Sequence, residues 1–246
     1  MFSLAELKHW ALFANDPNTI HFKASDDGFM IHGMLVFMFL SKQLLAIIDT
    51  QNQPIKIDVF FRKKVFTGQD VHVTSPSKFK VSLHSGDSNN CASGTLSFTD
   101  GNFFAAKASG DTALTRLTHG DIYHYRSRFA KAFNDYNCDV LFYSAVCFRY
   151  LLNSAWFSLD QGNNDAHKQS LFDHYDVIHI FQSLEVTNPF TYSILTSCSL
   201  EVLIFNKSVL PQENQSYLVT LGYGLVDAGK PMLVMASRFY IRQKEA

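Results

Sequence analysis

Asn15 to His21 reads NDPNTIH, and Gly28 to Asp49 reads GFMIHGMLVFMFLSKQLLAIID. The first stretch is polar turn chemistry, Asp-Pro-Asn, which stops whatever precedes it. The second is apolar on almost every face, so a helix there has to be wrapped by other structure. Its length approaches that of a membrane span, but His32, Ser41, Lys42 and Gln43 interrupt it. Charge inside a bilayer helix is costly, so the stretch reads as a buried core helix running from about His32-Gly33 to about Asp49. Working outward, Leu4 to Ala14 has apolar residues at helical spacing and predicts a short amphipathic helix. Downstream, Ile55 to Phe61, Val65 to Val73, Phe79 to His84 and Ala92 to Phe98 are β-branched and aromatic runs divided by Gly, Pro, Ser and Asn. These predict antiparallel strands. One buried helix followed by such strands is the pattern of an α+β unit in which a sheet wraps a helix.

The same order returns. After a polar stretch, Ser109 to Thr118, read as a linker, come a turn, an apolar helix near Val140 to Leu159, and strands at His179 to Thr187, Tyr192 to Phe205, Tyr217 to Val226 and Leu233 to Arg242. Asn15-Asp16-Pro17-Asn18 is echoed by Asn134-Asp135-Tyr136-Asn137, and Phe29 to Gly33 by Leu141 to Ala145, each just ahead of or at the start of the helix. A duplicated unit follows, with an N-terminal domain over 1–108 and a C-terminal domain over 119–246.

Composition bounds the function. With 47% hydrophobic, 14% aromatic and 17% charged residues, the 246-residue chain has ample material for a core and none of the bias of disorder. A net charge of -1 offers no field for a phosphate backbone, which argues against nucleic acid as a partner. The four cysteines, Cys91, Cys138, Cys147 and Cys198, lie far apart and read as reduced thiols. The first residues carry Glu6 and Lys8 where a secretion signal would have an apolar run, so a cytoplasmic location is expected.

Asp16, Asn18, Ile20 and His21, followed by Ile31-His32-Gly33-Met34, resemble the signature of the MaoC-like family of R-specific enoyl-CoA hydratases and 3-hydroxyacyl dehydratases. Phe61 to Val71, with Gly68 and Asp70, is similar to that family's strand element. The resemblance covers about Ala11 to Val73. It departs at Asn15, Thr19 and Lys64, and the spacer between His21 and His32 is shorter than the family's. The resemblance implies a tandem, or double, hot-dog fold whose halves pair within one chain. It also implies reversible hydration and dehydration of enoyl and 3-hydroxyacyl thioesters of coenzyme A or an acyl carrier protein, with no cofactor and no metal.

The residue types suit that chemistry. Adding water across a conjugated double bond needs a base for the water and an acid for the α-carbon, and Asp16 and His21 holding one water would supply both. The growing enolate oxygen needs a donor, which the helix start at Gly33 offers without a side chain in the way. Asn18 is expected to fix the loop or orient the carboxylate, and His32 to bond the backbone at the helix start. One site per chain is expected, because counting on from Asn137 by the same spacing leads to Val140, and Ser144-Ala145 stands in place of His32-Gly33. Phe142, Phe148, Tyr150 and Trp156 would then line or plug an acyl tunnel.

Other patterns are weaker. His119 and His124, and His174 and His179, have loose metal spacing without a cysteine pair, and Gly222-x-Gly224 reads as strand glycines. Arg62, Lys63 and Lys64 read first as a solvated strand end, and second as a group that could meet the phosphates of coenzyme A or the acidic face of an acyl carrier protein. Two rival readings share the fold: a non-catalytic acyl-binding or scaffold protein, and a thioesterase, since fold alone does not select the reaction.

Overall fold

Ser3 opens the first helix with a reciprocal cap: its Oγ accepts the Glu6 N–H at 3.1 Å while the Glu6 carboxylate accepts the Ser3 N–H at 2.8 Å. The helix, α1 (Leu4–Ala14), buries Leu7, Trp10 and Phe13 and stops at Asn15, which adopts a left-handed conformation at φ 51°. Asparagine tolerates that conformation better than most residues, so the turn is local chemistry. The computed structural model describes residues 2–16, 18–46, 53–86, 89–100, 112–136, 138–154, 159, 168–186 and 200–244.

After α1 come a 3-10 turn (Thr19–Phe22), a two-residue hairpin of β1 (Ala24–Ser25) and β2 (Gly28–Phe29), and the long apolar helix α2 (Gly33–Leu45). Strands β3 (Ile55–Phe61), β4 (Val71–Ser77), β5 (Lys80–Ser85) and β6 (Asn89–Phe98) follow. Then come β7 (Thr112–Leu117), α3 (His119–Ala132), a 3-10 turn (Asn134–Tyr136), α4 (Asp139–Leu152) and α5 (Lys168–His174). The chain closes with β8 (Tyr175–Val186), β9 (Leu200–Gln212), β10 (Ser216–Asp227) and β11 (Lys230–Gln243). Nine strands form one antiparallel sheet in the order β4-β5-β6-β3-β8-β11-β10-β9-β7.

That order is a palindrome apart from its last strand. The first sheet strand after α2 and the first after α4 pair with each other, from Ile55↔Val186 to Phe60↔Phe181. Outward from this seam each side runs through its fourth, third and second strands. Helix α2 packs on β3, β5 and β6 and across the seam on β8, while α4 packs on β7, β9, β10 and β11. Met34, Leu35, Phe37, Met38 and Leu40 of α2 and Phe142, Tyr143, Val146 and Phe148 of α4 are enclosed. This is an α+β architecture in which an antiparallel sheet wraps two buried helices. Among the described residues no helix is long and apolar enough to cross a membrane.

Several expected elements shift. The stretch read as a linker contains β7, which pairs with β9 from Thr112↔Ile204 to Leu117↔Leu200. Helix α3 was not expected; its polar face hid the pattern, although Thr118 and Asp121 form a reciprocal cap and Phe129 anchors it. Val65 to Val73 is not one strand, because Gly68 turns the chain at φ 75° and β4 starts only at Val71. Helix α4 ends at Leu152, before the expected Leu159, and Tyr192 to Cys198 lie outside the described residues. Cys91, Cys138 and Cys147 are free thiols.

Candidate functional site

The left-handed Asn15 delivers Asp16 into the interior, where its side chain is 2% exposed. Its Oδ1 accepts the backbone N–H of Asn18 at 2.9 Å, and its Oδ2 accepts from Nε2 of His32 at 3.0 Å. Asn18 does the positioning expected of it. Its side-chain oxygen caps the following 3-10 turn by accepting the Ile20 N–H at 3.3 Å, and its amide donates to the Val177 carbonyl on β8 at 3.1 Å. The loop is thereby tied to the other half of the sheet.

That 3-10 turn brings His21 inward, 5% exposed, with Nδ1–H donating to the Met30 carbonyl at 3.0 Å. The bond fixes the tautomer and leaves Nε2 as the acceptor. The segment leading into α2 is held by the connection between β3 and β4, through Ile31 N–H to Val65 O at 2.7 Å and Thr67 N–H to Phe29 O at 2.8 Å. His32 then caps α2, its Nδ1 accepting the Met34 N–H at 3.0 Å. Its ring lies 4.7 Å from that of His21 and 5.4 Å from both Trp10 and Phe148.

The sequence paired Asp16 with His21; the structure gives the carboxylate directly to His32. The helix-start role foreseen for His32 is there, but it is half of what the ring does. Asp16, His21 and His32 bring ligand atoms within 4.8 Å of one another, which is metal-like spacing. The hydrogen bonds oppose that use. With the Nδ1 lone pair of His32 taken by the Met34 N–H, Nε2 carries the ring proton and donates it to Asp16, so coordination would require either an imidazolate or loss of the helix cap.

Charge follows from this packing. Burial would raise the Asp16 carboxyl, but the neighbouring His32, then His21, and the Asn18 N–H outweigh it and hold the group below its usual range. For His21, burial and the nearby His32 lower the pKa to about 4, against a smaller opposing pull from Asp16. At neutral pH the site therefore holds a carboxylate beside an uncharged His21.

These residues border a cavity of about 250 Å³. Gly33 and Val36 of α2 form part of its wall, and Val177 to Ile180 of β8 with Phe239 of β11 close it from the other half. Arg62, Lys63 and Lys64 stand exposed at its rim, with Lys63 Nζ donating to Asn89 Oδ1 at 2.6 Å. Gly33 sits at the first helical position, where a backbone N–H has no intrahelical acceptor. A Cβ there would lie 2.8 Å from both Cβ and Nδ1 of His179.

His179 is the residue the sequence reading missed. Its spacing from His174 suggested at most a weak metal pair, yet His174 is exposed at the end of α5 while His179 lines the cavity. The available signal was an imidazole in the otherwise apolar strand run Val177-Ile178-His179-Ile180-Phe181. His119 and His124 lie on the exposed face of α3. The expected tunnel wall also differs: Phe142 and Tyr150 do not border the cavity, Phe148 stands behind His32 and His179, and Trp156 lies outside the described residues.

Among the described residues at the matching place in the second half, no enclosed acid and imidazole come together. Asp135 is exposed, Val140 is apolar, and Asp139 at the start of α4 is held by Arg126, which also stacks 4.0 Å over Phe142. Asp135→Asn is therefore expected to leave the activity of the Asp16 site within a few-fold of wild type; a loss matching that of Asp16→Asn in a steady-state assay would contradict a single site.

No protein-family model and no curated protein matches the sequence. Among solved structures the chain is similar to a MaoC-like dehydratase, with a TM-score of 0.51 at 8% identity over 99% of this chain and 95% of that one. It is also similar to a conserved protein of unknown function with hot dog fold from Alicyclobacillus acidocaldarius, at 8% identity, 93% and 98% coverage and a TM-score of 0.43. A third likeness is to the acyl-CoA thioesterase II TesB2 from Mycobacterium marinum, at 9% identity, 87% and 90% coverage and a TM-score of 0.39. Together with the paired helix-wrapping halves, the first of these shows a double hot-dog fold over nearly the whole chain.

Proposed function

We propose that this protein is a hydro-lyase that interconverts 3-hydroxyacyl and enoyl thioesters, with the proton-transfer chemistry in residues 1–108 and the half spanning 119–246 closing the cavity without a second proton-transfer site. The observation that carries this reading is the enclosed group of an ionised Asp16 and an uncharged His21 with its Nε2 lone pair available, beside the open helix start at Gly33.

In the dehydration direction, His21 Nε2 removes the α-proton and the electron pair moves onto the thioester oxygen, where the Gly33 N–H receives it. The C3–O bond then breaks as the same proton passes from His21 to the departing hydroxyl, releasing water. Asp16 stays ionised and stabilises the imidazolium formed in between, while its bond to His32 keeps it in place. Hydration is the reverse. Proton transfer of this kind contributes about 10²–10⁴-fold, and a preorganised donor at the enolate oxygen a further 10²–10³-fold or so. Arg62, Lys63 and Lys64 at the rim suit the phosphates of a coenzyme A or carrier-bound pantetheine thioester.

Crotonyl-CoA and 3-hydroxybutyryl-CoA, followed by enoyl absorbance with free thiol measured in parallel, test the proposal. Enoyl interconversion without thiol release is expected. Thiol release as the only activity would indicate a thioesterase, and binding without either would indicate an acyl-binding protein.

The acid limb gives a second check. Because His21 titrates near pH 4 in the fold, kcat/KM should stay level through pH 6.5 and fall only on approach to that value. Stability carries the same sign. The unfolded chain takes up the His21 proton near pH 6.5 and the fold near 4, so stability is full above 6.5 and declines as pH falls between the two, by about 3 kcal/mol at ~1.4 kcal/mol per unit. A melting temperature that is flat from pH 7 to pH 4.5 would refute the enclosed, uncharged state of His21.

A further inference from the structure

Strand β8 presents His179 to the cavity from the half of the chain that carries none of the motif residues. The ring is enclosed by aromatics: it stacks on Phe239 at 4.8 Å and on Phe148 at 5.5 Å, and Phe61 lies 4.9 Å away. Neither ring nitrogen has a hydrogen-bond partner, and both are shut off from bulk solvent. The Phe181 backbone and the Gln182 amide are near enough to favour the charged ring somewhat, without reaching hydrogen-bonding geometry. Gln182 is committed instead to Ser183 and to the buried hydroxyls of Ser237 and Tyr223.

Enclosed polar atoms are nearly always paired. A phenylalanine would fill the same stack without leaving two nitrogens unmatched, so the aromatic packing does not call for histidine here. Position supplies the missing reason. The Cβ and Nδ1 of His179 each lie 2.8 Å from where a Cβ on Gly33 would stand, so the imidazole edge abuts the start of α2, where the Gly33 N–H has no intrahelical acceptor, and both residues line the cavity. The His32 ring is 4.7 Å from that of His21 and 6.5 Å from that of His179, and all three residues line the one cavity.

We infer that His179 donates a hydrogen bond to the thioester carbonyl oxygen and, with the Gly33 N–H, forms a two-donor pocket for the enolate, one donor from each half of the chain. This rests on the thioester reading above. Burial, and after it the nearby His32, hold the His179 pKa well below the ordinary histidine value, so the ring donates as an uncharged imidazole and does not compete with His21 for the Asp16 charge.

His179→Phe keeps the stack and removes only the nitrogens. It is expected to lower kcat for crotonyl-CoA hydration about 10²–10³-fold, with KM within a few-fold and the melting temperature no lower than wild type. Carbonyl polarisation is read separately, without turnover, from the absorbance of bound 2,4-hexadienoyl-CoA. A red shift is expected with His21→Ala and should be lost in His21→Ala/His179→Phe. An unchanged band, or kcat within three-fold of wild type, would overturn the inference while leaving the hydro-lyase reading intact. A wild-type protein inactive on every thioester would remove both. Should His179→Phe not fold, His179→Gln should turn over at least ten-fold faster than His179→Leu, because its amide can still donate; equal rates would overturn the inference.

Discussion

His21→Ala is expected to lower kcat/KM for hydration of crotonyl-CoA by about 10²–10⁴-fold, the usual scale for removing a positioned proton-transfer group. Asp16→Asn should fall in the same range, because the amide keeps the shape and can still accept from His32 but brings no charge to the imidazolium. The double variant should be little worse than either single one, since groups that act on one proton transfer lose their effect together. Folding should survive both changes. Asp16 and His21 are enclosed polar groups, so replacing them relieves desolvation as well as breaking bonds. Steady-state kinetics with a melting curve for each variant checks this; near wild-type turnover in either single variant, or multiplied losses in the double, would remove the shared role.

The largest expected change in stability lies away from the cavity, at Gly224 on β10. A Cβ there would stand 2.1 Å from the Leu233 carbonyl oxygen and 3.1 Å from the Val234 Cα on the neighbouring β11. Both are backbone atoms held in the ladder by Gly224↔Val234 and Leu225↔Leu233, so no side chain can swing aside and the strands must part. Overpacking of this kind costs typically 1–3 kcal/mol, and with the backbone itself as the obstacle Gly224→Ala should lose roughly 3 kcal/mol or more. Gly222→Ala is the matched control. Its Cβ would meet the Asn206 side-chain oxygen at 2.5 Å, at the end of a chain that can rotate away. The urea midpoint should fall far more for Gly224→Ala than for Gly222→Ala; equal midpoints would mean that β10 and β11 do not lie as close as described. The reading of this glycine pair as strand glycines acquires its physical reason here.

Much of the local structure was legible because its causes are local. Leu4 to Ala14 carries its own spacing, cap and stop, and the helix spans those residues. The apolar runs around α2 and α4 could only be enclosed helices, and Ile55 to Phe61 is a strand with those bounds. The repeated order of elements was visible, and the sheet order repeats with it about the β3–β8 seam. Where local signals conflicted, boundaries moved: Gly68 divided a β-branched run, and the polar surface of α3 concealed a helix that packs Ile122, Tyr125, Phe129 and Ala132 on the core.

The candidate site divides along the same line. Asp16, Asn18, His21 and Gly33 lie within one short stretch, and the chain by itself brought them into one neighbourhood, because a left-handed asparagine, a capped 3-10 turn and a helix start are each determined by adjacent residues. Which imidazole the carboxylate would take was decided only by the tertiary structure: His32 faces Asp16 because its other nitrogen caps α2 and because Trp10 and Phe148 fix the ring. The arrival of His179 from a strand 146 positions beyond Gly33 was decided in the same way, by the register that pairs β3 with β8. Hydrogen-bond partners and enclosure are properties of distances between remote segments, and those distances do not exist until the two halves of the sheet have closed.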